Sequence, residues 1–294
     1  SVALHNAIQS ILAGTYETVM VLGIEKMTDH PQAEVVAGLM AAGSDEERGS
    51  GITFAGLYAL MAVSYMEKYK INEEELASIP VKNHFHGSFN PKAQFQKAIT
   101  IEQVMKSPKV ADPLKLLDCS PISDGASAII ISSVPKLIKN SVHIIASQLG
   151  TASVGLCQRD ELTSISSTVL ASQKAYKQAK IKPTQIQVAE VHDCFSIAEA
   201  IALEDLAFSK RGRGVLDVID GKMTLGSGDI IVNPSGGLKA CGHPVGATGI
   251  KQVIEITQQL EGKCGRRQVK NASIGLTHNV GGSGAVAAVH ILKA

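Results

Sequence analysis

The 294-residue sequence predicts an α/β fold built from two copies of one unit, with the first copy truncated. Three observations carry that reading. Helical periodicities alternate with short continuous apolar runs, the pattern of sheets buried on both faces. A helix, a glycine stop, an apolar strand and a second strand occur at residues 1–14, 19–22 and 124–131, and the same order returns at 246–262, 272–276 and 283–289. The second strands open on matching strings, Asp124-Gly-Ala-Ser-Ala128 and Ser283-Gly-Ala-Val-Ala287, as expected of a duplicated unit.

Each element has its own warrant. Leu4, Ile8, Ile11 and Leu12 keep helical spacing and Gly14 stops the helix. Because this helix opens at Ser1 with no approach segment, the chain reads as a fragment with sequence missing upstream. Val19-Met-Val-Leu22 is a buried strand. Residues 28–118 are polar and loop-rich, with a helix over 54–69 and an acidic helix start at Asn72-Glu-Glu-Glu75. Ala128-Ile-Ile-Ile131 is the next strand, 135–140 a linker, and a further strand opens at His143. A helix over 164–180 shows Ile165, Val169 and Tyr176 on one face and ends before Pro183. A strand at 186–191 leads to Ser196-Ile-Ala-Glu199, a capping box starting a helix to about residue 208. Residues 209–229 are loop. A helix over 246–261 buries Ile250, Val253, Ile254 and Leu260, Gly262 follows it, and two strands flank the glycine-rich turn at 279–284. The halves divide as 1–138, with the inserted region at about 28–118, and 139–294.

Composition excludes several functions. Lys plus Arg is 28 against 27 for Asp plus Glu, a net charge of +1, which offers no footprint for nucleic acid or an anionic membrane surface. Trp is absent and aromatics are 4%, so stacking on single strands is not the trade here. With 45% hydrophobic and 19% charged residues the chain is globular, and no apolar run reaches the ~18 residues of a membrane span. Five cysteines, an odd number with no C-x-x-C pair, fit reduced thiols, and no metal-ligand spacing surrounds them.

Three segments place reactive side chains at element ends, where α/β proteins carry their sites. In His192-Asp-Cys-Phe195, Cys194 precedes a helix N-terminus whose partial positive charge favours a thiolate, and His192 stands two residues away; both are expected to lower its pKa. Taken alone, a small buried thiol beside a strand-end histidine accounts for this segment better, because free cysteine is usually a core residue. The second segment, Asn233-Pro-Ser-Gly-Gly-Leu-Lys-Ala-Cys-Gly-His-Pro-Val-Gly-Ala-Thr-Gly249, is dense in glycine and sets His243 on a loop entering a helix, placed to act as a base or an oxyanion donor. It satisfies neither the P-loop nor the dinucleotide-binding pattern. The third, Thr277-His-Asn-Val-Gly-Gly-Ser-Gly284, offers His278, Asn279 and backbone donors near Gly281 and Gly282, and reads equally well as a plain hairpin. Lys210-Arg-Gly-Arg213 reads as a solvated basic loop, while His84 and His86 are ambiguous.

In this order and spacing the three segments resemble the thiolase superfamily, most of all its archaeal acetyl-CoA acetyltransferase and sterol-carrier-protein-x type branches. Thr53-Phe-Ala-Gly-Leu-Tyr-Ala-Leu-Met61, Val81-Lys-Asn-His84, Asn90-Pro-Lys-Ala-Gln-Phe95 and the stretch from Leu116 to Ala126 carry the same likeness. The resemblance implies the duplicated thiolase fold, layered α-β-α-β-α, and two-step acyl transfer on coenzyme A thioesters with no other cofactor. It implies that His243 activates the acyl-accepting cysteine and that Cys194 moves the proton at the α-carbon. His192 would share an oxyanion hole with His243, backbone near Gly281 and Gly282 would form the other, and His278, Asn279, Phe195, Ser235 and Gly236 would line the pocket. The family's acyl-accepting cysteine falls before Ser1, so this chain is expected to lack it and to be inactive alone. Acetyl transfer giving or cleaving acetoacetyl-CoA is the first expectation; cleavage of longer or branched 3-ketoacyl-CoA and a non-catalytic acyl-CoA-binding subunit are the alternatives. A thiol hydrolase using Cys194 with His243 has little behind it. The expected setting is cytosolic, since Ile-Leu-Lys-Ala294 is no peroxisomal address. The expected state is a homodimer or homotetramer, with a downstream synthase and a small zinc-ribbon protein as partners and neither nucleic acid nor membrane among them.

Overall fold

The computed structural model describes residues 1–138 and 141–294. Helix α1 (Val2–Leu12) leads into β1 (Thr18–Glu25), after which the chain runs through α2 (Gln32–Leu39), α3 (Asp45–Ser50), α4 (Phe54–Tyr69), α5 (Glu73–Leu76), α6 (Ser78–Gly87) and α7 (Ile101–Lys106). The expected loop-rich insert is therefore largely helical. Its helices are short and start on polar caps, with reciprocal Ser44–Glu47, Asn72–Glu75 and Thr100–Gln103 pairs, which is why apolar periodicity did not reveal them. A small hairpin, β2 (Lys109–Ala111) and β3 (Leu114–Lys115), precedes β4 (Gly125–Ser132) and α8 (Pro135–Ile138). The expected linker thus begins as a helical turn, and its last residues, 139 and 140, lie outside the described residues, as does the 138/139 division.

The second half comprises β5 (His143–Thr151), α9 (Ser166–Ala179), β6 (Val188–Glu190), α10 (Ser196–Asp205), α11 (Gly214–Ile219), β7 (Ile231–Val232), α12 (Gly237–Cys241), α13 (Val245–Leu260), β8 (Ile274–Gly281) and β9 (Val286–Lys293). Helix α11 replaces part of the expected 209–229 loop. Arg211 and Arg213 of the basic run keep their side chains well exposed, as a solvated loop requires, and also pair with Asp205, Asp217 and Asp220.

Five strands form a mixed sheet in the order β5-β9-β8-β6-β7, antiparallel from β5 to β8 and parallel from β8 to β7. The pair β1–β4 forms its own antiparallel sheet, with Val21 opposite Ile129. Helices α1 and α13 fill the layer between the sheets, where Leu4 and Val21 meet Ile250, Val253, Ile256 and Leu292. The seam is tight: a Cβ on Gly23 would stand 2.3 Å from the Gly246 carbonyl oxygen. Helices α9 and α10 cover the far face of the five-stranded sheet, and α10 is buried along its whole length.

The copies agree in order and strand pairing and differ in cover. The layers run β-α-β-α, with no helix layer on the outer face of β1–β4 among the described residues. Met20, Leu22, Ile24 and Ile130 are 64%, 52%, 61% and 71% exposed there, so the expectation of sheets buried on both faces holds for the second copy alone. Leu12, expected inside, is also exposed.

Candidate active site

The strand ends of the second copy bring His192, Cys194, His243 and Asn279 to one corner. His192 and Cys194 lie on the turn from β6 into α10, His243 between α12 and α13, and Asn279 near the end of β8. The His192 and His243 rings stand edge to face, 5.1 Å between centroids. The Leu116–Ala126 stretch, read from the sequence as part of the family likeness and given no site role, ties the two motifs together: Cys119 bridges to Phe195 and Ile122 to His243. The Ser120 amide donates to the Cys194 carbonyl at 2.8 Å, and the His243 amide donates to Ser123 Oγ at 3.0 Å.

The hydrogen-bond partners fix complementary tautomers on the two imidazoles. Thr248 Oγ1 donates its one proton to the Pro244 carbonyl at 3.0 Å, so it accepts from His243 Nδ1 at 2.8 Å. His243 therefore carries its proton on Nδ1 and offers a lone pair at Nε2. Asn279 Nδ2 donates to His192 Nδ1 at 3.2 Å and to Gln252 Oε1 at 3.3 Å, while Gln252 Nε2 donates to the His278 carbonyl. His192 accepts at Nδ1, so its Nε2 holds the hydrogen. Burial, with Lys251 nearby, lowers His192 to about 3; burial, with His192 and Lys251, holds His243 well below the ordinary imidazole range. Both are neutral at pH 7, one a base and the other a donor.

Cys194 departs from expectation. Its burial pushes the thiol up to about 12, outweighing the Tyr58 hydrogen bond and the Lys239 charge that favour the thiolate. The helix start does not lower it, because desolvation of a 7%-exposed thiol exceeds the field of one helix end. The expected capping box also fails to form. Phe195 is the N-cap, Ser196 Oγ donates to Asp118 at 2.6 Å, and Glu199 is drawn into a buried cluster. In that cluster Lys82 pairs with Glu199 at 2.8 Å, and Asn83 Nδ2 donates to both Asp193 and Glu199 at 2.7 Å. Asp193 in turn accepts from the Leu238 amide at 2.6 Å, fastening the His192 turn to the start of α12. A side chain on Gly237 would collide with it, since a Cβ there would stand 2.3 Å from Asp193 Oδ2.

Other expected site residues are placed differently. His278 points to the α9 side of β8, its Nε2 2.9 Å from Thr168 Oγ1, because neighbours on a strand face opposite ways; Asn279 alone turns to the histidine pair. Ser235 donates through N and Oγ to Glu190 at 3.0 and 2.8 Å, and Gly236 lies against Gly87, so both anchor the glycine-rich loop. Phe195 stacks on Tyr58 at 4.7 Å. Gly281 is exposed at the end of β8, and Gly282 turns its carbonyl to the Tyr58 hydroxyl at 3.2 Å. His86 is structural: buried, with Nδ1 on the Asn233 carbonyl and Nε2 accepting from Leu225 N. Thr248 was legible as a residue one helical turn beyond Pro244; Asn83 and Tyr58 lay inside strings that carry the family likeness without a site role, and Gln252 carried no local signal.

Two helix–strand–strand copies sharing a central helix layer, with paired histidines and a cysteine at the strand ends, define the class of thiolase-fold proteins. Residues 1–134 match the thiolase N-terminal domain family and residues 150–294 the thiolase C-terminal domain-like family, and the chain belongs to the thiolase family. The acetyl-CoA acetyltransferase of Methanothermobacter thermautotrophicus is 47% identical over 295 residues, covering 99% of this chain and 76% of that protein. The acetyl-CoA acetyltransferase of Methanocaldococcus jannaschii is 43% identical over 305 residues, covering 100% of this chain and 77% of that protein. Among solved structures, an Ltp2-ChsH2(DUF35) aldolase superposes with a TM-score of 0.83 at 25% identity, covering 99% of this chain and 76% of that one.

Proposed function

We propose that this protein is an acyl-CoA C-acyltransferase acting as an acetyl-CoA C-acetyltransferase. The observation that carries the reading is the neutral, complementary histidine pair: a free lone pair on His243 and a free N–H on His192, 5.1 Å apart by ring centroids. Acyl transfer needs that combination, a base for the attacking thiol and a donor for the oxyanion of the tetrahedral intermediate. His243 Nε2 takes the proton of the acyl-accepting thiol and returns it to the departing coenzyme A thiolate. His192 Nε2–H meets the carbonyl oxygen as it gains charge. Cys194 exchanges a proton with the α-carbon of the second thioester, a task suited to a basic sulfur. The acetyl preference follows the two archaeal relatives.

In this reading the acyl group is carried by a cysteine other than the five present here, so labelled acetyl-CoA leaves no acyl-cysteine on the 294-residue chain. An acylated Cys194 would overturn that assignment. With the reading go a cytosolic setting and a homo-oligomer, and no helix among the described residues is long and apolar enough to cross a membrane. The decisive experiment assays the product of the whole reading frame with acetoacetyl-CoA plus coenzyme A, beside a long-chain 3-ketoacyl-CoA. Acetoacetyl-CoA is expected to be cleaved, with kcat/KM reduced about 10²–10³-fold by His192→Ala and further by His243→Ala. Absent turnover of either thioester, or a His243→Ala protein at full activity, defeats the proposal.

A further inference from the structure

Two hydrogen-bond relays leave the same face of α13 for the histidine pair. They start from Thr248 and Gln252, one helical turn apart and both fully buried. Thr248 bonds His243 directly, whereas Gln252 acts on His192 through Asn279. Amide oxygen and nitrogen have the same shape, so the polarity of the Gln252 relay has to be set by a group that faces only one way. That group is the main-chain carbonyl of His278, which can only accept and lies 3.1 Å from Gln252 Nε2. It turns Gln252 Oε1 toward Asn279, 3.3 Å from Nδ2, and leaves the other hydrogen of that nitrogen for His192 Nδ1 at 3.2 Å. Turning Gln252 over would set its oxygen against the His278 carbonyl. Turning Asn279 over would set its oxygen against Gln252 Oε1.

We infer that Gln252 is a positioning residue for His192, holding the Asn279 amide in the one orientation that leaves the ring proton on His192 Nε2. A reversed Asn279 would present Oδ1 to the ring and draw that proton to Nδ1. His192 and His243 would then both offer lone pairs at Nε2, and the corner would keep its base and lose its donor. The consequence for turnover rests on the oxyanion role of His192 proposed above, whereas the position of the proton does not.

The test therefore reads the proton directly. The product of the whole reading frame is labelled with nitrogen-15 histidine and observed by NMR at neutral pH, where protonated and bare ring nitrogens resonate far apart. The His192 signals are those lost in His192→Gln. Wild type is expected to show a bare Nδ1 and a protonated Nε2. Gln252→Met keeps the length of the side chain and removes both relay bonds, and the ratio of Nε2–H to Nδ1–H is expected to fall about three- to tenfold, the worth of one ordinary hydrogen bond. Gln252→Glu keeps an acceptor for Asn279 whether or not it is ionised, so its ratio is expected to stay within a factor of two of wild type. A role in packing alone predicts the reverse ranking, since a buried site tolerates methionine better than a carboxyl group. The inference is overturned by a wild-type His192 protonated on Nδ1, by a Gln252→Met ratio within a factor of two of wild type, or by a Gln252→Glu ratio that falls as far as that of Gln252→Met. No thioester enters the measurement, so its failure is distinct from failure of the acyltransferase reading.

Discussion

The strand pairs β1–β4 and β8–β9 are the same unit twice, yet they live in different solvents. Aligning Ala128 with Ala287 sets Ile130 beside Val289 and Ile131 beside His290. Val289 is fully buried between helix and sheet, whereas Ile130 is 71% exposed on a face that no described residue covers. An apolar strand thus shows that both faces suit burial; whether both are buried depends on distant segments. The histidine pair and Cys194 sit in the copy that is closed on both sides, where burial holds both imidazoles neutral and lifts the thiol pKa.

The sharpest break of this comparison is Val289→Lys. It drives an ammonium with no partner into a closed layer and is expected to cost more than about 4 kcal/mol, enough to lose cooperative unfolding in a urea titration. A Val289→Lys protein that melts near wild type would mean that the second copy is far looser than its burial implies.

A smaller effect tests the neighbouring position. His290 is buried, with Nδ1 2.9 Å from Ser147 Oγ and Nε2 unpartnered; burial, with His5 nearby, lowers it to about 3. The folded protein holds it neutral, so stability is full above the unfolded imidazole pKa of about 6.5 and is lost as pH falls from there toward 3, where only the unfolded chain takes up the proton. His290→Ile installs the first copy's residue. It is expected to cost about 1 kcal/mol at pH 7 for the lost hydrogen bond and to reduce the slope of stability between pH 6 and 4 by about 1.4 kcal/mol per unit. An unchanged slope in urea midpoints across that range would mean that His290 takes up its proton in the fold.

How much of this was legible follows from where each signal resides. The repeat, the alternating elements and the histidine-bearing loops are written locally, in glycine spacing and apolar runs. The tautomers of His192 and His243 are not, because Thr248 and Gln252 sit on α13, which periodicity marks only as a helix. The Ser196–Glu199 capping box is a case of local chemistry overridden. Both side chains were claimed by distant partners, Asp118 for one and Lys82 for the other, since a buried carboxylate gains more from an ammonium than from a backbone amide. Tyr58 lies on α4, far from Phe195 in sequence, so their stack arises only in three dimensions.

The gentlest expected change is Ile130→Lys, the counterpart of Val289→Lys in the first copy. The same substitution at the same repeat position here meets water: the lysine stem lies over Leu22 and Met20 while its ammonium stays solvated. Stability is expected to move by no more than about 0.5 kcal/mol, and the soluble yield to rise as the apolar patch of Met20, Leu22, Ile24 and Ile130 is interrupted. Measured side by side, the two lysines convert the difference in cover into a difference of several kcal/mol between equivalent sites. If Ile130→Lys proved as damaging as Val289→Lys, the outer face of β1–β4 would have to be covered in the folded protein, and the contrast between the copies would vanish.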